Sequence, residues 1–498
     1  MKKDTTTKQV RVRMAPSPTG PLHLGTARTA LFNWLYARHF DGVFVLRIED
    51  TDLERSDTRY EQEIFDGFKW LGIDWDEGPI AEAAQIQNSE FRIQNFKGAY
   101  GPYRQSERLD IYEKYLNQLL EEKKAYYCYC SKEELDSERK SQLSKGIQLK
   151  YSGKCRDLVL APEGKNPEII RFKVEDKIIE FDDLIRGKIS FDSKLIGDIA
   201  IAKVLPTGFS PLYNFAVTVD DATMEITHVI RGEDHIPNTP KQILIQEALG
   251  FDIPYFAHLP LILSPDRSKL SKRYVETSLL KYRDLGYFPQ AIANFIAYLG
   301  WHPKEEKDIM TLQELVSEFD IDRVQKAGAI FNEEKLTWLN AKYLNNFSDD
   351  DLVQLLVPRL IEKGIKIATG NLKRILHVEK GRMKTLNDFF ELADFFFNLP
   401  EYASELLIWK NVPKEKIKEN LVKISEILKK QDNSLFSVSD LEIALTPLTK
   451  EAGKGEILWP MRAALSGKRE SPSPYEIAEV LGKEETVRRL EIGAKKLL

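Results

Sequence analysis

Val10-Arg11-Val12-Arg13-Met14-Ala15-Pro16-Ser17-Pro18-Thr19-Gly20-Pro21-Leu22-His23-Leu24-Gly25-Thr26 reads as a strand, a tight turn and the start of a helix. Val10, Val12 and Met14 alternate with Arg11 and Arg13, the period of a short strand. The prolines and glycine between positions 16 and 21 force a turn. Ala27, Ala30, Leu31, Trp34 and Leu35 then recur at helical spacing. Gly25 lets a ligand approach the backbone, and a helix N-terminus offers unpaired N–H groups to a phosphate. His23 stands at that mouth. A second strand, Val43 to Ile48, ends in Glu49-Asp50. Ligands of open α/β sheets bind beyond the carboxyl ends of the strands, so His23 and Glu49 are expected in one crevice. The same residues also suit a proline-rich loop before an ordinary helix, with a surface histidine and a solvated acid.

A second stretch weighs between these readings. Lys269-Leu270-Ser271-Lys272-Arg273 follows the strand-like run Pro260 to Leu263 and sets two lysines around a serine, suited to gripping a triphosphate. Lys-rich turns are more often solvated loops. Together, however, the two stretches resemble the His-Ile-Gly-His and Lys-Met-Ser-Lys-Ser signatures of class I aminoacyl-tRNA synthetases. The order P-S-P-T-G-P-L-H-L-G-T, R-I-E-D-T-D, V-I-R-G-E-D-H resembles the bacterial glutamyl branch over essentially the whole chain. Thr26 and Arg273 depart from the general signatures, as is usual in that branch.

Bulk properties bound the rest. With 498 residues the chain needs two to four domains. A charged fraction of 30% beside 42% hydrophobic residues fits a globular protein, and no apolar run approaches a membrane span. Met1-Lys2-Lys3-Asp4 and the threonines after it lack the apolar core of a signal peptide, so a cytoplasmic protein is expected. The net charge of -5 leaves RNA contacts to local basic patches. Three cysteines exclude a disulfide scaffold.

The expected fold is α/β. A Rossmann-type parallel sheet in two halves (1–105 and 206–263) is split by an α/β insertion (106–205). A helical region carrying the lysine loop (264–340) and an all-helical part (341–498) follow. Leu195 to Val204 and Leu212 to Val219 read as strands that resume the main sheet. Ile375, Leu386, Phe389, Phe390, Leu392 and Phe395 to Phe397 should supply a helical core, and Ser471-Pro472-Ser473-Pro474 a turn before a terminal helix.

The resemblance implies ATP-dependent ligation of L-glutamate to tRNA(Glu), with Mg²⁺ accompanying ATP, in a monomer. His23, Lys269 and Lys272 would be catalytic, and Gly25, Thr26 and Ser271 would join them around ATP. An arginine suits a carboxylate fork, so Arg13 and Arg231 are candidates for the two carboxylates of glutamate. Ser17 and Tyr213 would be neutral partners, and Glu49 would hold the ammonium group. The insertion would grip the acceptor end of the tRNA. Arg382 matches where the family places an anticodon-reading arginine; a phosphate or surface contact is its other reading. Charging of tRNA(Gln) as well, or a catalytically silent tRNA-binding paralogue, are the rival functions. No G-x-G-x-x-G follows a strand, which removes the nicotinamide-dependent oxidoreductases.

All three cysteines cluster as Cys128-x-Cys130 and Cys155. In a cytosolic enzyme such clustering points to metal, and thiolates suit a closed tetrahedral Zn²⁺ site of four ligands. Zinc-bearing relatives resemble this pattern with a histidine where this chain has Asp157, the expected fourth ligand. Tyr151 is the alternative, because a related tRNA-modifying enzyme has a tyrosine there; a metal-free degenerate site is the third reading.

Overall fold

The computed structural model describes residues 8–52, 54–80, 95–270 and 278–497. It divides into two compact units, 1–284 with 289–333, and 285–288 with 334–498. Among the described residues no helix is long and apolar enough to cross a membrane.

In the first unit β1 (Arg11–Met14), α1 (Leu24–His39) and β2 (Val43–Leu46) make a parallel β-α-β unit, with Val12 paired to Phe44. α2 (Thr58–Leu71) starts at an Asp57 cap and ends at Gly72, whose φ of 76° is a left-handed stop. The short pair β3 (Gly78–Pro79) and β4 (Phe96–Lys97) precedes α3 (Leu109–Glu121). β5 (Ala125–Cys128), α4 (Lys132–Ser144), β6 (Ile169–Phe172), β7 (Ile178–Asp183), β8 (Gly187–Asp192), β9 (Ile199–Val204) and β10 (Phe209–Pro211) then occupy the middle of the unit. α5 (Tyr213–Thr223), β11 (His228–Gly232), α6 (Thr239–Leu249) and β12 (Tyr255–Leu259) return the chain to the large sheet. β13 (Ile262–Leu263), α7 (Leu279–Asp284), α8 (Pro289–Ala297), α9 (Leu312–Glu318) and β14 (Ala329–Ile330) complete it.

The large sheet has the order β2-β1-β11-β12-β7-β8 and is parallel except for its last strand, β8. The second sheet, β10-β9-β6-β5, is antiparallel throughout. The expected α/β plan holds, with three corrections. Leu195 to Val204 does not resume the main sheet: its strand β9 pairs with β6 and β10. The hairpin β7–β8, expected inside the insertion, extends the main sheet instead, with Ile179, Phe181 and Asp183 on its buried face. The stretch Leu212 to Val219 is not a strand, because α5 begins at Tyr213. Its residues Phe215 to Asp221 are all buried, so the polar face that marks a helix in sequence is missing.

The second unit has no strand among its described residues. Leu421, Ile424, Leu428, Leu441, Leu445, Ile457, Met461 and Leu490 fill its core. Ser473 closes the Ser-Pro turn as a capping box with Glu476 ahead of the helix Pro474–Leu481. Of the expected aromatic core, Phe389 and Phe395 are buried with Ile375 and Leu386, whereas Phe390, Leu392, Phe396 and Phe397 are half-buried.

Candidate active site

A cavity of about 700 Å³ opens beyond the carboxyl ends of β1 and β11. Arg13, Ser17, His23, Gly25, Thr26, Glu49, Tyr213, Arg231 and Lys269 all line it. Nine of the sequence-predicted residues, scattered over more than 250 positions, thus face one space. Ser271 and Lys272 lie outside the described residues.

His23 is the N-cap of α1. Its Nδ1 accepts the Thr26 N–H at 3.2 Å, and its Nε2 lies 3.1 Å from the Thr26 hydroxyl. A Cβ on Gly25 would sit 3.2 Å from that Nδ1, so the glycine leaves room for the imidazole to fold over the helix end. The cap puts the ring and the positive end of the helix at the same wall of the cavity. Across it, Lys269 bridges back to Leu263 and forms the base of the lysine loop.

Below this wall lies a buried charge network. Arg47 is inaccessible to solvent; it gives Nη1 to Asp221 at 2.8 Å and Nη2 to Glu49 at 3.1 Å, with Asp220 at 3.6 Å. Arg13 donates Nε to the same Asp221 oxygen at 3.2 Å. Arg108, Gln105 and Tyr112 close around Asp220. Burial pushes the Glu49 carboxyl above its ordinary range, against the pull of Arg47 and Arg13. Burial opposes ionisation of Asp221 too, but Arg13 and Arg47 outweigh it and hold its pKa low. Arg47 escaped the sequence reading because its partner Asp221 is 174 positions away.

Arg231 is held from three sides. Nη2 donates to Thr239 and Gln242, each at 2.8 Å, and Nε to His258 Nε2 at 3.3 Å. Its Nη1 is buried and has no hydrogen-bond partner among the described residues. A buried guanidinium nitrogen with an unused donor calls for an acceptor, and Arg231 lines the cavity. Tyr213 Oη lies 3.0 Å from His235 Nδ1, and burial raises the phenol's pKa. Burial, with Arg231 nearby, lowers the His235 pKa to about 4, which keeps that ring neutral.

Residues 9–338 match the family of tRNA synthetases class I (E and Q), catalytic domain, and residues 351–494 match an anticodon binding domain. The chain belongs to the class I glutamyl- and glutaminyl-tRNA synthetase family. It is 45% identical over 493 residues to a glutamate–tRNA ligase of Sulfurihydrogenibium sp., covering 97% of this chain and 98% of the relative. It is 43% identical over 502 residues to glutamate–tRNA ligase 2 of Caldanaerobacter subterraneus subsp. tengcongensis, with coverage of 97% and 98%. A crystal structure of a glutamate tRNA ligase from Elizabethkingia meningosepticum, in complex with its amino acid, superposes with a TM-score of 0.86 at 33% identity. That match covers 99% of this chain and 100% of the other.

Away from the synthetase cavity, the sulfurs of Cys128, Cys130 and Cys155 lie within 4.8 Å of one another. Tyr151 Oη is 3.5 Å from Cys128 Sγ and 3.6 Å from Cys130 Sγ, and the Cys130 and Cys155 sulfurs are 3.6 Å apart. Ligands about 2.3 Å from a tetrahedral Zn²⁺ stand about 3.8 Å apart, so this donor set fits the ion. Asp157 does not fit: it is exposed and outside the cluster. The turn closed by Arg156 N–H on Gly153 O brings Cys155 inward, and Cys155 N–H donates to Tyr151 Oη at 2.9 Å, tying the tyrosine to the thiols. Burial disfavours the Cys128 thiolate, but Tyr151 and Arg171 outweigh it and lower its pKa; burial raises that of Cys130 to about 12.

In the second unit Arg382 borders a polar hollow with Trp459, Arg462 and Arg469. It is anchored from below by Glu379.

Proposed function

We propose that the chain ligates L-glutamate to tRNA(Glu) in two steps. An oxygen of the glutamate α-carboxylate attacks the α-phosphorus of ATP, forming glutamyl-adenylate and releasing pyrophosphate. The 2′-hydroxyl of the terminal adenosine of the tRNA then attacks the adenylate carbonyl, and AMP leaves. The reading rests on one observation: Arg231, whose buried Nη1 has no hydrogen-bond partner among the described residues, and the His23-capped helix end line the same cavity.

Displacement at phosphorus needs positioning and charge stabilisation more than covalent help. His23, Gly25 and Thr26 cradle the phosphates at the helix end, and Lys269 and Lys272, with Ser271, neutralise charge on the leaving pyrophosphate. Mg²⁺ accompanies ATP. Arg13 and Arg231 take the two carboxylates of glutamate, Ser17 and Tyr213 add neutral hydrogen bonds, and Glu49 takes the ammonium group. Arg382 reads an anticodon base. Cys128, Cys130, Cys155 and Tyr151 hold a structural Zn²⁺, which would tie the loop at 151–155 to the end of β5. The protein acts as a cytoplasmic monomer.

Aminoacylation with separated glutamate and glutamine tRNAs tests the reading. Glutamate should be attached to the glutamate tRNA with release of AMP and pyrophosphate. No attachment to either tRNA would refute it.

A further inference from the structure

Behind Arg231 stand two residues, His258 and Asp183, that do not line its cavity. Its neighbour in the adjacent parallel strand is His258, paired with it in register on β12. His258 and Asp183 have fully buried side chains, and His258 Nδ1 is 2.6 Å from Asp183 Oδ2. The other carboxylate oxygen, Asp183 Oδ1, accepts the backbone N–H groups of Ile185 at 3.0 Å, Arg186 at 2.8 Å and His258 at 3.3 Å.

This arrangement leaves one tautomer. An arginine N–H only donates and an ionised carboxylate only accepts. His258 must therefore carry its proton on Nδ1, toward Asp183, and offer the Nε2 lone pair to Arg231 Nε. Thr239 Oγ1, 3.1 Å from the same Nε2, also accepts from Arg231 Nη2. Gln242 is oriented in turn by donating to Asn214 Oδ1 at 3.1 Å. Every Arg231 nitrogen but Nη1 is thereby occupied.

We propose that Asp183 and His258 are positioning residues for glutamate recognition, holding Arg231 so that Nη1 is presented to a substrate carboxylate. The proposal rests on the reading of Arg231 as a carboxylate fork. It singles out a nearly isosteric change. In Asp183→Asn the three backbone N–H groups keep the amide oxygen at the Oδ1 place, so the amide nitrogen faces His258 Nδ1. That nitrogen donates, the histidine proton moves to Nε2, and two N–H groups then oppose each other at Arg231 Nε. The logic is that of a histidine held in the wrong tautomer when its carboxylate partner becomes an amide.

Pyrophosphate exchange in the presence of tRNA(Glu) reads the outcome. Asp183→Asn should raise the KM for glutamate on the order of 10- to 100-fold, the range for a lost hydrogen bond to a charged group, with the KM for ATP unchanged. His258→Gln keeps an acceptor for Arg231 but has no tautomer to reverse. In that background Asp183→Asn should add little to the glutamate KM, because the two residues act through one hydrogen-bonded chain. An unchanged glutamate KM in Asp183→Asn, a parallel rise in the ATP KM, or multiplying effects would overturn the relay. Arg231→Ala separates the two levels. An unchanged glutamate KM there would overturn the reading of Arg231 itself, whereas a raised KM beside an unchanged Asp183→Asn refutes the relay alone.

Discussion

Nη1 of Arg382 donates to Oε2 of Glu379 at 2.6 Å, and the Glu379 side chain is fully buried while Arg382 keeps about a third of its surface. The arginine thus stands on an acid that solvent does not reach. The other oxygen of that acid, Oε1, has no hydrogen-bond partner among the described residues. Burial outweighs the pull of Arg382 and raises the Glu379 pKa from 4.5 to about 7.

That shift sets a pH dependence. A folded-state pKa above the unfolded value means that the native chain binds the proton more tightly. The stability from this group is therefore complete below about pH 4.5 and is lost as pH rises through about 7. Glu379→Gln mimics the neutral acid. It should be more stable than the parent at pH 8, by roughly 3 kcal/mol, with the gap closing near pH 4.5. Urea unfolding at the two pH values checks this; a gap independent of pH would refute it.

Arg382→Gln tests what stands on that acid. Single-stranded loops are read by stacking and by hydrogen bonds to base edges. The substitution should change the ratio of glutamate-tRNA to glutamine-tRNA charging. If it lowers both equally, Arg382 holds backbone rather than base.

Arg47 offers the largest expected loss of stability. It is fully buried among Asp220, Asp221 and Glu49, so Arg47→Ala leaves neighbouring carboxylates under-compensated. Breaking one side of such a network costs about 3–5 kcal/mol. Chemical denaturation should show that loss, and a change below about 1 kcal/mol, the worth of an exposed pair, would mean that water or a rearranged side chain replaces the arginine.

The lysine loop should act on rate rather than on amino-acid affinity. Lys272→Ala is expected to slow adenylate formation on the order of 10²- to 10³-fold, as for loss of one transition-state charge donor. The KM for glutamate should change little, because the lysine addresses phosphates. An unchanged exchange rate would remove Lys272 from the chemistry.

How much of this was legible in the sequence depends on the range of the forces involved. The turn before His23 could be read because proline and glycine act locally. The same holds for the Ser473 cap. α5 misled because Phe215 to Asp221 are buried on every side and present β-branched residues without a polar face. The sheets of β7 and β9 are not legible because pairing partners are chosen across the chain: Asp183 meets Phe256, and β9 meets β6 and β10. Arg13 and Arg231 could be named from their chemistry, but Arg47, Asp183 and His258 became visible only once the strands were side by side.

The fourth ligand of the thiol cluster yields a sharp test. The resemblance to zinc-bearing relatives puts Asp157 in the fourth place with Tyr151 as the alternative; Asp157 is exposed, whereas Tyr151 Oη accepts from Cys155 N–H beside the sulfurs. The Tyr151 phenol would have to lose its proton beside three thiols to act as a ligand, and burial already raises its pKa. The ion must supply the compensating charge, as a coordinated metal does for any acidic ligand. Protein purified without chelators should therefore carry close to one zinc per chain, and Cys128→Ser/Cys130→Ser should lose it. Tyr151→Phe should bind zinc on the order of 10-fold or more weakly in a chelator competition, while Asp157→Asn should match the parent. A weaker site in Asp157→Asn with none in Tyr151→Phe would restore the carboxylate as ligand. A metal content near zero in a protein that still charges tRNA would leave the three thiols as a buried apolar cluster, held by the Gly153–Arg156 turn without an ion.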